Sequence, residues 1–181
     1  MTTARRAVWC TPHAYGSVVR LGVHHLSARL AARGWDVLYL SNPISPLHLL
    51  NWRYSETRLR LSEAVSGVAC PQERMRAMLP ITMLPLVGRL GGRSRWILNR
   101  WPVFTVPNVA GALRHAGFDR PDLMVLDGPI AAPLVEVIKP SHSVLRIFDR
   151  LSGFSSTTPA MLDAQRDIAR RVDLVTYSAE D

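Results

Sequence analysis

Three observations predict a doubly wound, Rossmann-like α/β fold: a mainly parallel sheet with helices on both faces. Residues 7–40 read as strand, helix, strand, and such a βαβ unit argues for parallel strands. The same alternation returns over residues 108–177. The composition, 48% hydrophobic and 20% charged over 181 residues, is that of one globular domain able to bury its own core.

Ala7-Val8-Trp9-Cys10 is an apolar strand closed by Thr11-Pro12. Ser17 to Arg33 follows as a helix, with Val19, Val23, Leu26 and Leu30 at helical spacing, Ser17 as its cap and Gly34 after its last turn. Trp35 to Leu40 is the second strand. The middle of the chain is punctuated by prolines at 43, 46, 71, 80, 85, 102 and 107. There Thr57–Val65 and Arg74–Thr82 read as strands and Ser94–Arg100 as a short helix. Asn108 then caps a helix to His115 that Gly117 ends, and Asp122–Leu126 is a strand. Ile130–Lys139 is a helix, Ser143–Phe148 a strand, Pro159–Arg171 a helix with proline in its first turn, and Asp173–Tyr177 a strand. In such a sheet ligands bind beyond the carboxyl ends of the strands, here residues 11–16, 41–46, 127–130, 149–156 and 178–181.

Composition and motifs remove several function classes. The turn after the first strand, Thr11-Pro12-His13-Ala14-Tyr15-Gly16, is not the glycine fingerprint of a dinucleotide fold, and the chain's one lysine, Lys139, follows no phosphate-binding loop. Cys10 and Cys70 lack metal-ligand spacing and read as thiols in a reducing compartment. His24 and His25 point about 100° apart on a helix, a poor chelating pair. No metal site is expected. The apolar run at Ala7–Cys10 is shorter than the roughly 7–15 residues of a signal-peptide core. Met78–Gly88 contains two prolines and is shorter than the ~20 residues of a membrane span.

Charge is the stronger signal. With 22 basic and 14 acidic residues the net charge is +8, which implies an anionic partner. From Arg74 to Phe118 there are arginines at 74, 76, 89, 93, 95, 100 and 114, with Trp96, Trp101 and Phe104 among them and no acid. Arginine with interfacial tryptophan suits an anionic membrane surface. It also suits a single-stranded nucleic acid, but no RNP, KH or helix-turn-helix pattern accompanies it. An ordinary basic solvated face with core tryptophans is the third reading. Asp149, after Leu145-Arg146-Ile147-Phe148, is the carboxylate placed to act as a general base, with turn capping as its alternative, and Asp127 ends the preceding strand. Arg20 and His24, four apart, are expected on one helical face, as a polar cleft wall or as a surface pair.

Three stretches carry a resemblance. They are Arg20-x-x-x-His24 with Leu30-Ala31-Ala32-Arg33-Gly34; Asp127-Gly128-Pro129-Ile130-Ala131-Ala132 leading through Glu136 to Lys139; and Arg146-x-x-Asp149 with Leu151-Ser152 and Val172-Asp173-Leu174-Val175. In these the chain resembles the N-terminal, acceptor-binding half of a GT-B glycosyltransferase, of the kind seen in GumK-like bacterial exopolysaccharide glucuronosyltransferases. The resemblance implies a single acceptor-binding domain over residues 1–181, with the C-terminal nucleotide-sugar domain absent, so that the expectation is either a truncated or split reading frame or a separate chain that supplies the donor domain. It implies an inverting, metal-free transfer from a nucleotide sugar, with no other cofactor, to a glycan acceptor, on a polyprenyl diphosphate or otherwise. The work would be done peripherally on the cytoplasmic face of the cell membrane. Asp149 would activate the acceptor hydroxyl. His13, Tyr15, Gly16, Arg20, His24, Asp127 and Gly128 would bind the acceptor. Arg89, Arg93, Arg95, Trp96, Arg100 and Trp101 would meet headgroups or diphosphate. The alternative is a non-catalytic module for membranes or lipid diphosphates. Nucleic acid is not an expected partner.

Overall fold

The computed structural model describes residues 4–51, 53–67, 70, 72–86, 93–148, 151–154 and 157–177. Six parallel strands form the central sheet: β1 (Arg6–Thr11), β2 (Asp36–Ser41), β3 (Met75–Met78), β6 (Leu123–Leu126), β7 (His142–Ile147) and β8 (Leu174–Tyr177), in the order β3-β2-β1-β6-β7-β8. Two further strands, β4 (Ile81–Thr82) and β5 (Thr105–Val106), pair antiparallel as a separate ribbon. The chain runs outward from β1 to β3, crosses back to lay β6 beside β1, and runs outward again to β8. The topological switch point therefore lies between β1 and β6, where such sheets place their ligands.

Alternating strand residues serve two cores. Val8, Cys10, Leu38, Leu40, Met124, Leu126 and Leu145 face one side. There they meet α3 (Arg95–Arg100), α4 (Val109–His115), α5 (Ala132–Ile138) and α6 (Pro159–Ala169) through Leu98, Leu113, Leu134 and Ile168. Ala7, Trp9, Val37, Tyr39 and Val125 face the other side, toward Val23 and Ala31 of α1 (Gly22–Ala32). Side chains cap three helices: Ser94, Asn108 and Thr158 accept from the backbone N–H groups of Ile97, Gly111 and Met161, and of these the Asn108 cap was expected.

Three expectations fail for physical reasons. Arg74–Thr82 is not one strand: Pro80, which has no N–H to donate, separates β3 in the main sheet from β4 in the ribbon. Residues 57–65 are not a strand: they lie within α2 (Ser55–Ser66). Arg58-Leu59-Arg60-Leu61 alternates with strand period, yet Glu, Arg, Leu and Ala are good helix formers, and Gly67, at φ 73°, stops the helix. The first helix is also shorter than expected. It begins at Gly22, and Ser17 instead closes a turn on the Ala14 carbonyl. Its buried residues are Val23, His24, Ser27 and Ala31, whereas Val19 is 64% and Leu26 43% exposed. Small residues face the sheet, and the Ser27 hydroxyl satisfies itself on the Val23 carbonyl at 2.7 Å.

Candidate functional site at the switch point

The carboxyl ends of β1, β2, β6 and β7 gather a cluster of buried polar side chains. Asp127, the first residue past β6, turns its carboxylate toward β1. One oxygen accepts from Trp9 Nε1 at 2.9 Å and the other from Arg146 at 3.3 Å. The side chain of Asp127 is 1% exposed and that of Arg146 17%. Burial raises the carboxyl of Asp127 to about 6, against the pull of the Trp9 and Thr11 hydrogen bonds and the Arg146 charge. Arg146 lies over the rings of Phe148 and Trp9, 4.2 and 5.0 Å from their centroids, which supports a cation partly removed from water. Beneath the site, burial and then the Asp127 charge push the Cys10 thiol up, so it is an inert core group.

A second cluster lies beside it, between β1 and β2. The Leu21 N–H donates to His24 Nδ1 at 3.1 Å, which puts the ring proton on Nε2. Nε2 then faces the Ala14 carbonyl and the Tyr39 hydroxyl, each at 3.2 Å. Burial pushes the Tyr39 phenol up, with the nearby Thr11 side chain opposing the shift. Tyr15 packs edge-on against Tyr39 at 5.1 Å and donates its hydroxyl to Gln72 at 3.1 Å. Arg20 lies over the Tyr15 ring and donates to the Tyr15 carbonyl at 2.9 Å. Arg20 and His24 thus converge on the same loop without sharing a helical face, because the helix starts after Arg20. From α2, Arg60 donates to the carbonyls of Pro12 and Asn42, at 2.7 and 2.5 Å, tying together the loops after β1 and β2.

The expected acceptor residues therefore divide by access. Gly16 and Arg20 are exposed, and His13 and Gly128 half-exposed. A side chain at Gly128 would meet open space. Burial, reinforced by His24 and Arg60, lowers the His13 imidazole, favouring its neutral form. Tyr15, His24 and Asp127 are corrected from lining to backing residues: Tyr15 and His24 are each 5% exposed, and the Asp127 carboxylate is sealed by Trp9 and Arg146. Asp149 and Arg89 lie outside the described residues. Trp9, Tyr39, Arg60 and Glu63 complete the site and were not singled out from the sequence. Trp9 and Tyr39 look like core residues within apolar runs, and only their polar tips at the strand ends marked them.

The basic segment divides likewise. Trp96 is 56% exposed and packs on Phe104, with ring centroids 5.9 Å apart, while Arg93 and Arg100 are exposed beside them. Trp101 is 1% exposed and donates its indole N–H to the Ile130 carbonyl at 2.7 Å. It is a core residue and not a membrane contact. The segment holds no acid of its own, but the fold supplies some: Asp36 pairs with Arg74 at 3.2 Å, and Asp167 pairs with Arg95. Arg95 and Arg100 border a groove of about 680 Å³ between α3, α5 and α6, together with Arg170, Arg171, Glu136 and Asp167. Among the described residues no group of three His, Cys, Asp or Glu side chains is placed to hold a metal ion. Nor is any helix there long and apolar enough to cross a membrane.

A six-stranded parallel sheet with helices around it and a polar cluster at its switch point defines a Rossmann-like α/β domain. Over residues 9–178 the chain matches the family model described as glucuronosyltransferase GumK, N-terminal domain. It belongs to that family, and is thus a glycosyltransferase-related module. A search of curated proteins found no match to the chain.

Proposed function

We propose that this domain is the acceptor-binding half of an inverting, membrane-associated glycosyltransferase of polysaccharide synthesis. The observation that carries the reading is the polar cluster at the switch point of a domain in this family, where a glycan would meet His13, Gly16, Arg20 and Gly128 at the surface. Behind them, Tyr15, Tyr39 and His24 fix the loop, and the Asp127–Arg146 pair forms a charged floor.

In this reading Asp149, two residues past the end of β7 in sequence, takes the proton of the acceptor hydroxyl as that oxygen attacks the anomeric carbon of a nucleotide sugar. The nucleoside diphosphate leaves from the opposite side, which inverts the centre. The nucleotide sugar is held by a donor-binding domain in the same or a separate chain. The acceptor is a glycan on a polyprenyl diphosphate. Exposed Trp96 and Phe104, with Arg93 and Arg100, favour contact with an anionic membrane on its cytoplasmic face.

The test is calorimetric titration of the chain, in detergent, with a farnesyl-diphosphate-linked disaccharide and separately with a nucleotide sugar. Binding of the lipid-linked glycan is expected, with the nucleotide sugar binding far more weakly. No glycan binding, or tighter binding of the nucleotide sugar, overturns the reading. The same exposed Trp96–Phe104 pair favours a second reading, a lipid-diphosphate binding module without a catalytic role. Asp149→Asn in a fusion to a donor domain separates the two: loss of turnover supports the enzyme, and unchanged turnover removes Asp149 as base.

A further inference from the structure

Helix α2 buries one residue, and that residue is charged. Glu63 is 6% exposed on a helix whose other side chains are all at least partly exposed. Its Oε1 accepts the Gly16 N–H at 2.5 Å, forty-seven residues away in sequence. Its Oε2 is buried and has no hydrogen-bond partner among the described residues. One turn earlier Arg60 holds the Pro12 and Asn42 carbonyls. Residues 60 and 63 share a helix face, so one face of α2 grips the β1–α1 loop at both ends of its first turn.

Gly16 is shaped to this grip. A Cβ there would lie 2.6 Å from Glu63 Oε1 and 3.3 Å from a methyl of Leu59. The carboxylate touches the peptide N–H only because the residue has no side chain. A buried carboxylate oxygen without a donor costs stability. Glu63 also brings little apolar burial to offset that cost, because α2 adds no residue to either core. Placement of the loop, rather than stability, is what this contact supplies.

We propose that Glu63 is the positioning residue of the acceptor loop. Acting through the Gly16 peptide, it sets where His13 and Arg20 stand relative to the Asp127–Arg146 floor. The proposal rests on the reading that this loop receives the glycan. It makes a specific claim within that reading: the contact at Oε1, and not bulk or charge at position 63, governs affinity.

The experiment is titration of the full chain and its variants with the farnesyl-diphosphate-linked disaccharide, beside thermal melts of each. Glu63→Ala is expected to bind at least tenfold more weakly while still melting cooperatively. Glu63→Gln, which keeps an oxygen for Gly16, is expected to recover most of that loss. Gly16→Ala is expected to bind weakly, and Gly16→Ala/Glu63→Ala no more weakly than Glu63→Ala alone, because the clash partner is gone. If Glu63→Ala does not fold, Gly16→Ala and Glu63→Gln carry the test, with the second retaining more affinity than the first. Wild-type affinity in Glu63→Ala, or equal losses in Glu63→Ala and Glu63→Gln, overturns the role of Glu63 and leaves the acceptor reading standing. A wild-type chain that does not bind the probe overturns the acceptor reading itself, and the role of Glu63 falls with it.

Discussion

Replacing Asp127 with Asn sets two opposed effects against each other. The carboxyl ionises near 6 in the folded chain, against an ordinary 3.8. Between those values the folded state holds the proton that the unfolded state has lost, so stability falls as pH rises through this window. Below it both states are protonated and the penalty is absent; above it the penalty is complete. At about 1.4 kcal/mol per pH unit, an ionised Asp127 costs the fold about 3 kcal/mol at neutral pH. Asn keeps the shape and an oxygen for Trp9 Nε1 and removes this cost. Against that, removing one member of a buried ion pair can destabilise by about 3–5 kcal/mol when the other charge is stranded. Here the first effect wins, because the raised value already includes the pull of Arg146. Arg146 also keeps its two aromatic faces and some contact with water. Asp127→Asn is expected to stabilise the chain by about 1–3 kcal/mol at pH 8 and by close to nothing at pH 4. Urea unfolding followed by tryptophan fluorescence, repeated across that range, measures it. A variant less stable than wild type at pH 8, by a margin that shrinks toward pH 4, refutes the reasoning, since it makes the ionised pair a net source of stability.

Arg146→Met removes the positive charge that draws the Asp127 carboxyl down, so Asp127 is expected to ionise at still higher pH; carbon-detected NMR titration of its carboxyl reads the direction. Trp101→Phe deletes the donor to the Ile130 carbonyl and should cost about 1–3 kcal/mol in urea unfolding. The same variant should leave flotation on anionic vesicles unchanged, whereas Trp96→Ala should reduce it; equal effects would contradict the assignment of one tryptophan to the core and the other to the surface. Asn108→Ala removes the cap of α4 and should lower stability by about 1 kcal/mol, read from the shift in urea midpoint.

The parallel strands β1, β2, β6, β7 and β8 and the helices α3, α4 and α6 were legible because their signals are local, whereas β3 and β4 read as one strand and β5 did not show. A parallel strand buried on both faces is an apolar run, and Ser94, Asn108 and Thr158 sit immediately before the helices they cap. Helix α2 was not legible, because its one buried residue is Glu63 and it leaves no apolar stripe. The register of α1 was misread for a related reason. Val23 packs as its spacing predicts, but the rest of the buried face is His24, Ser27 and Ala31, while Leu26 points to water and Val19 lies before the helix. Asp127 was visible as a carboxylate at a strand end, but its partners were not: Trp9 reads as core, and Arg146 as a neighbour of Asp149. The acid-free basic stretch was real in sequence and is partly neutralised in space by Asp36 and Asp167.

The doubly wound class and the family follow from the residues alone, since apolar runs, crossover helices and short motifs all act over a few tens of residues. Tertiary structure decided which polar groups meet. Laying β6 beside β1 brings Asp127 to Trp9 across 118 residues, and α2 reaches across 47 to hold Gly16. Periodicity reports which face of an element is buried. Only the order of the strands reports what that face, or the tip of a strand, is buried against.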